Sequence, residues 1–175
     1  KTDPRIEAYA DVDEANSAIG LALSFANGEF DAAALALLTR LQNELFDLGA
    51  DLATPLHETY EYEPIRVQES WITQLENFID DYNSKLDKLD SFILPGGTSL
   101  AAGLHLARTV VRRAERATWH AIETHGTAPV KPGEVGGVNV LTAKYLNRLS
   151  DLLFVLARTA NGGYDVKWKA GTQRD

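Results

Sequence analysis

The stretch "GLHLARTVVRRAERAT", Gly103–Thr118, decides how this chain folds. Advancing ~100° per residue around a helix axis gathers Gly103, Ala107, Val110, Val111, Ala114 and Thr118 into one arc. Arg108, Arg112 and Glu115 fall within roughly 60° of one another on the other side. Arg116 flanks them, and His105 lies near the same stripe. The segment is therefore an amphipathic helix with a core face and a continuous basic face.

Four further segments show the same period. One runs from about Arg5 to Asn27, with Val12, Ala15, Ile19, Ala22 and Ala26 on one face. Another runs from about Asp31 to Ala53 and carries Leu35, Leu38, Leu41, Leu45 and Leu52. A third spans about Val67 to Leu86, with Trp71, Leu75, Phe78, Ile79 and Tyr82. The basic helix follows Pro95-Gly96-Gly97 and ends near His125-Gly126. The last segment runs from about Val140 to Asn161 and stops at Gly162-Gly163, a natural terminator. Between them lie the tight link "NGEF", the proline-bounded "TPLHETYEYEP" and the Gly/Pro-rich "GTAPVKPGEVGG", read as mobile. The tail "YDVKWKAGTQRD" shows a short alternating start and no helix. Five helices joined mostly by short links predict an all-α, up-and-down five-helix bundle.

The totals agree with one domain spanning residues 1–175. A hydrophobic fraction of 45% suffices for a real core, and no apolar run approaches the length of a membrane span. The formal net charge is -8, which argues against non-specific binding to nucleic acid or acidic membranes but not against a local basic pocket. Cysteine is absent, so disulfides, thiol catalysis and zinc–thiolate sites are excluded. With no signal peptide visible, a cytoplasmic location is expected.

A basic stripe opposite a core face has two readings. It can be a solvated surface whose arginines pair with Glu115 or other acids at a few tenths of a kcal/mol each, by the usual scale. It can also be a site for a strongly anionic ligand, because the planar fork of arginine grips phosphate oxygens in two places and stays charged. The second reading needs convergence with another element. In "YLNRLSDLLFVLAR", Asn147, Asp151, Phe154 and Arg158 share one stripe, while Leu146, Leu149, Leu153, Leu156 and Ala157 cover the core side. Asn147 is a poor residue for a helix interior, so its amide has either a ligand or an interhelical partner. Asp13, in "DVDEANS", either serves the dipole of a helix N-terminus or fixes an arginine. In "SFILPGG", the glycines allow a sharp turn into a helix whose free N–H groups can receive an anion. The four histidines form neither HExxH nor paired Glu-x-x-His ligands, and no GxxxxGK[ST] loop is present.

Taken together, "KTDPRIEAYADVDEANSAIG", "FILPGGTSLAAGLHLARTVVRRAER" and "KYLNRLSDLLFVLAR" resemble the PduO-type ATP:cob(I)alamin adenosyltransferases, in order and over most of the chain. The "DLGADLATP" segment resembles them too. The resemblance implies a homotrimer with active sites between subunits. It implies transfer of the 5′-deoxyadenosyl group of ATP to the cobalt of cob(I)alamin, with release of triphosphate and with Mg2+ accompanying the ATP. It places Lys1, Arg112, Arg113, Glu115, Arg116 and Asn147 at ATP. It makes Asp13 and Arg108 a salt bridge across the interface, and sets Phe92 under the corrin, where it disfavours a lower ligand on cobalt. A cobalamin reductase and an adenosylcobalamin-dependent enzyme are the implied partners, with no nucleic acid and no membrane. A non-catalytic bundle that binds cobalamin or nucleotide is the alternative. It is favoured by the absence, before Lys1, of the "TKTGDKG"-like segment with which the family wraps the triphosphate. Ala10 and Ala15 replace a glycine and a leucine of the family pattern, both small apolar changes.

Such a reaction suits this composition. Cob(I)alamin is itself a strong nucleophile, so the protein needs no cysteine, triad or paired carboxylates. Its task is to align the 5′ carbon with cobalt and to stabilise a departing polyanion.

Overall fold

The computed structural model describes residues 2–26 and 30–173; Lys1, and with it the expected ATP contact there, lies outside them. Five helices form: α1 Pro4–Ser24, α2 Ala32–Ala53, α3 Glu69–Asn83, α4 Ser99–His125 and α5 Val140–Ala160. Among the described residues there are no strands, only three isolated bridges and a single 3₁₀ turn at Gly171–Gln173.

Four of the helices start on a side chain that caps them. Asp3 accepts from the Arg5 N–H, Asp31 from Ala33, Thr98 from Ala101 and Asn139 from Leu141. Each cap satisfies a donor that the first turn leaves without a partner. The third helix is shorter than its apolar period predicts. The Val67 N–H donates to Asp51 Oδ2 at 2.8 Å, which holds that residue in the preceding loop.

Contacts between helix ends give the directions. Arg5 at the start of α1 donates to Leu52 O at the end of α2, and Asp51 near that end accepts from Asn139 before α5. His125 at the end of α4 meets Asp3, and Thr98 before α4 bonds to Asn161 and Ala160 at the end of α5. Tyr82 near the end of α3 reaches Asp31 before α2. The helices thus run up and down in turn. α1, α4, α5 and α2 close a ring of neighbours, and α3 packs on the outside of α5.

The expected core faces are buried: Val12, Ala15, Ile19 and Ala22 on α1; Leu38, Leu41, Leu45 and Leu52 on α2; and the five named positions of α5. All six residues of the α4 arc are buried as well. Gly103 brings α1 and α4 close, since a Cβ there would lie 2.9 Å from Ala22 Cα. Any larger residue must push the helices apart, at ~1–3 kcal/mol for overpacking.

The two long connectors meet at the lower end. Leu56 N donates to Gly137 O at 2.9 Å, and Val130 N to Leu56 O at 3.1 Å, so the Gly/Pro-rich segment expected to be mobile is tied down by backbone bonds. Beneath them Arg5 is buried and donates to the carbonyls of Leu52, Gly136 and Gly137. At the upper end the tail folds back on residues 90–94 through an Ile93–Lys167 bridge.

Candidate functional site

The arginine stripe of α4 divides into an upper and a lower part. At the upper end α5 lies over it. His105, read as lying near the stripe, is only 2% exposed, with its ring against Phe154 at a centroid distance of 6.0 Å. Neither of its ring nitrogens has a hydrogen-bond partner among the described residues. Burial holds the imidazole below its ordinary pKa, and the Arg108 charge adds to the shift against an opposing pull from Asp165. Arg108 is half-buried, with its guanidinium over the Phe154 ring at 5.9 Å and its Nε without a partner. Burial, then the charge of Arg112, lowers its pKa as well.

Lower down the stripe opens to solvent. Arg112 and Arg116 are exposed and have no ion pair or hydrogen bond among the described residues. The one carboxylate on their face is already engaged: Asn147 Nδ2 donates to Glu115 Oε1 at 3.0 Å, joining α5 to α4. The amide oxygen of Asn147 accepts from Arg148, which also pairs with Asp151 at 3.2 Å. Asn147 therefore has an interhelical partner, Glu115. Arg158, the last member of the α5 stripe, is buried, bonded to Asp165 of the tail at 2.7 Å and to Asp87 O at 2.8 Å.

Arg113 lies off the stripe. It turns away from the stripe, pairing with Glu14 and lying 3.7 Å from Asp11, so it braces α4 against α1 of its own chain. The reason is angular: one residue past Arg112 is a turn of ~100°, toward the α1 side.

Asp13 and Arg108 form no pair within the chain. Asp13 is exposed on α1, beside a groove of about 340 Å³ lined by Tyr9, Asn16, Leu45 and Phe46. The Phe46 side chain is 68% exposed there, and Asn16 Oδ1 is buried without a partner.

The "LPGG" turn leads into an α4 N-terminus that is partly capped from within the chain. The Thr98 N–H donates to Asn161 Oδ1 at 3.0 Å and the Ala101 N–H to Thr98 Oγ1 at 3.1 Å. Gly97 has φ +108, and a Cβ on it would stand 2.1 Å from Asn161 Oδ1, so the glycine serves this cap. The turn also presents Phe92. Its ring is 80% exposed and is touched edge-on by Trp168 at 6.2 Å. The backbone beneath is held by Trp168 N to Phe92 O at 2.8 Å, Leu94 N to Val166 O at 2.8 Å, and an Asp90–Lys167 ion pair. The tail's part in fixing Phe92 could not be read from sequence beyond the alternation of its first residues.

The site thus comprises two exposed arginines, Arg112 and Arg116, without a partner among the described residues, and an exposed Phe92 ring at the upper end of the bundle. The comparisons name the family. The family model described as cobalamin adenosyltransferase matches residues 1–160, and the chain belongs to that family. It is 52% identical over 174 residues to a corrinoid adenosyltransferase of Mycobacterium tuberculosis, covering 99% of this chain and 84% of that protein. It is 41% identical to the corrinoid adenosyltransferase of Bacillus subtilis, over 92% of this chain and 76% of the other. A variant PduO-type ATP:corrinoid adenosyltransferase from Lactobacillus reuteri, solved in complex with cobalamin and ATP, superposes with a TM-score of 0.83 at 36% identity, covering 97% of this chain and 88% of that one.

Proposed function

We propose that this chain is an enzyme that transfers the 5′-deoxyadenosyl group of ATP to the cobalt of a corrinoid. The observation that carries the proposal is the open stretch of α4. In a chain of net charge -8, Arg112 and Arg116 stand exposed without a neutralising partner among the described residues, next to the Glu115–Asn147 pair.

In the reaction the cobalt(I) electron pair attacks C5′ of ATP. A Co–C bond forms as the C5′–O bond breaks, and triphosphate leaves with the bonding electrons. Negative charge grows on the leaving oxygen, where preorganised guanidinium donors act most strongly. Arg112 and Arg116 supply them. Asn147 and Glu115, locked to each other, offer a fixed amide and carboxylate to the nucleoside. Among the described residues no group of three or more His, Asp or Glu side chains is placed to hold a metal ion. In this reading Mg2+ enters with ATP as Mg-ATP, and Lys1 is a further contact to ATP.

The same proposal makes the active protein a homotrimer. Arg108, half-buried with a free Nε, and Asp13, exposed beside an apolar groove, have complementary charges and no partner for each other within one chain. Asp13 of one subunit meeting Arg108 of the next satisfies both. Phe92 lies under the corrin and excludes a lower ligand, which eases reduction to cobalt(I). Arg113 braces α4 against α1 and stands with Arg112, Glu115 and Arg116 in the segment that binds ATP. A cytoplasmic setting, a reductase that supplies cobalt(I) and an enzyme that consumes adenosylcobalamin complete the reading. No described helix is long and apolar enough to cross a membrane.

The test is formation of adenosylcobalamin from ATP and chemically reduced cobalamin. A well-folded trimer that forms no product sinks the proposal in favour of a non-catalytic binding bundle.

A further inference from the structure

Arg158 and Asp165 form an ion pair at 2.7 Å with both side chains almost wholly buried, 4% and 5% exposed. Burying two charges costs their hydration, and an apolar pair of similar size packs as well. A charged pair can instead fix a single register between the segments that carry it. Here it joins two segments that core packing does not place. From Asp87 to Phe92 only Ser91 is partly covered, and from Tyr164 to Lys169 only Asp165 is.

One guanidinium reaches both segments. Arg158 Nε donates to Asp165 Oδ2, and Arg158 Nη2 donates to Asp87 O at 2.8 Å. Gly162 and Gly163, at φ +60 and +79, reverse the chain after α5 and bring Asp165 back to Arg158. The Asn161 amide donates to Gly96 O at 3.0 Å, on the far side of Phe92. From these anchors the segments run side by side, through Leu94 N to Val166 O, Trp168 N to Phe92 O and Ser91 Oγ to Trp168 O. The Asp90–Lys167 pair between them is exposed at both ends, so water leaves it little strength. The buried link to Arg158 is therefore the firm one.

We infer that Arg158 and Asp165 are positioning residues for Phe92: the buried pair sets the place of the ring and, through it, whether a cobalt(II) corrinoid keeps its lower ligand. The inference rests on the reading of Phe92 above and deepens it. Neither residue touches the reacting atoms. A ring that shifts by the width of a ligand atom leaves room for one, so loosening the anchor lets the lower base return to cobalt. Four-coordinate cobalt(I) has no lower ligand to expel, so a chain supplied with cobalt(I) does not need the anchor.

The experiment compares the wild type, Phe92→Ala and Asp165→Asn. Electron paramagnetic resonance of cob(II)alamin bound together with ATP reports the lower ligand. Turnover from prereduced cob(I)alamin and hydrogen exchange of the chain without corrinoid accompany it. Asp165→Asn is expected to lower the ratio of ligand-free to ligated cobalt(II) about tenfold, the usual scale for losing an outer support of a metal site. The Leu94 and Trp168 amides should exchange faster, while the α4 amides and cob(I)alamin turnover stay at the wild-type level. Arg158→Lys keeps the charge pair but loses the fork to Asp87 O, so it carries the same test, with a smaller loss, where Asp165→Asn does not fold. A wild-type ratio in Asp165→Asn, with a lowered one in Phe92→Ala, overturns the inference and leaves the reading of Phe92 standing. So does an equal fall in cob(I)alamin turnover, which marks general damage to the fold. A wild-type ratio in Phe92→Ala overturns the reading of Phe92 and the inference with it.

Discussion

Arg112→Ala separates function from stability more cleanly than any other change in this chain. Arg112 is exposed and has no partner among the described residues, so its removal breaks no contact. It is flanked at i−4 and i+4 by Arg108 and Arg116, two like-charge pairs on one helix face. Each such pair destabilises a helix by ~0.2–0.5 kcal/mol, so relieving both raises stability by about 0.4–1 kcal/mol. Alanine also has the better helix propensity. For a chain of this length the expected change in Tm is a rise of about 1–4 °C. Turnover moves the other way. Removing one preorganised donor to a developing anion costs ~10²–10³ in rate. Arg112→Lys keeps the charge but loses the bidentate fork, so it falls between. Thermal unfolding in low salt without nucleotide, paired with anaerobic adenosylcobalamin formation, measures both. A Tm lowered by several degrees would mean that Arg112 has a structural partner. Near-normal turnover would place the triphosphate elsewhere.

Asp13→Asn should leave the isolated fold unchanged, since Asp13 has no partner among the described residues, and should raise the KM for ATP through a loosened interface; unchanged kinetics with an intact trimer would return Asp13 to a surface role. Asp51→Ala should cost ~3–5 kcal/mol, because it strips a buried carboxylate from Arg66, Asn139 and the Val67 N–H; a loss under 1 kcal/mol in denaturant unfolding would refute that network. His105 gives a pH signature. Its folded pKa is held below 6.5 by burial and then by Arg108, with Asp165 opposing. The unfolded imidazole therefore takes up a proton that the folded one refuses. Stability falls as pH drops below about 6.5 and the loss levels off once pH passes the folded pKa. His105→Leu should flatten that limb, and identical pH profiles for the two proteins would show that His105 does not titrate on unfolding.

Much of the fold was legible in the sequence because helical period is a local property. Five apolar arcs, closed by Pro and Gly, define five helices, and short links force neighbours to alternate. The α4 arc was complete to the last residue, and the Asn147 amide did prove to need a partner. The residues also suggested an anion site through the count of arginines on one face and through family-like motifs.

What one chain's periodicity could not decide is which part of a polar face stays in water. An angular count treats the stripe from His105 to Arg116 as uniform. In the bundle, α5 covers its upper end, burying His105 and half of Arg108, while Arg112 and Arg116 stay open. Arg113, next to Arg112 in sequence, is drawn to α1 by Asp11 and Glu14. The glycines before α4, read as allowing a sharp turn, also make room for the Asn161 side chain that caps Thr98. The tail, which offered only a short alternating start as a pattern, becomes the support of Phe92. The sequence by itself determined the helices, their order and the charge they carry, since these follow from side chains a few residues apart. Only the tertiary structure decided which charges are neutralised and which remain for a ligand, because that depends on neighbours brought close by packing from tens of residues away.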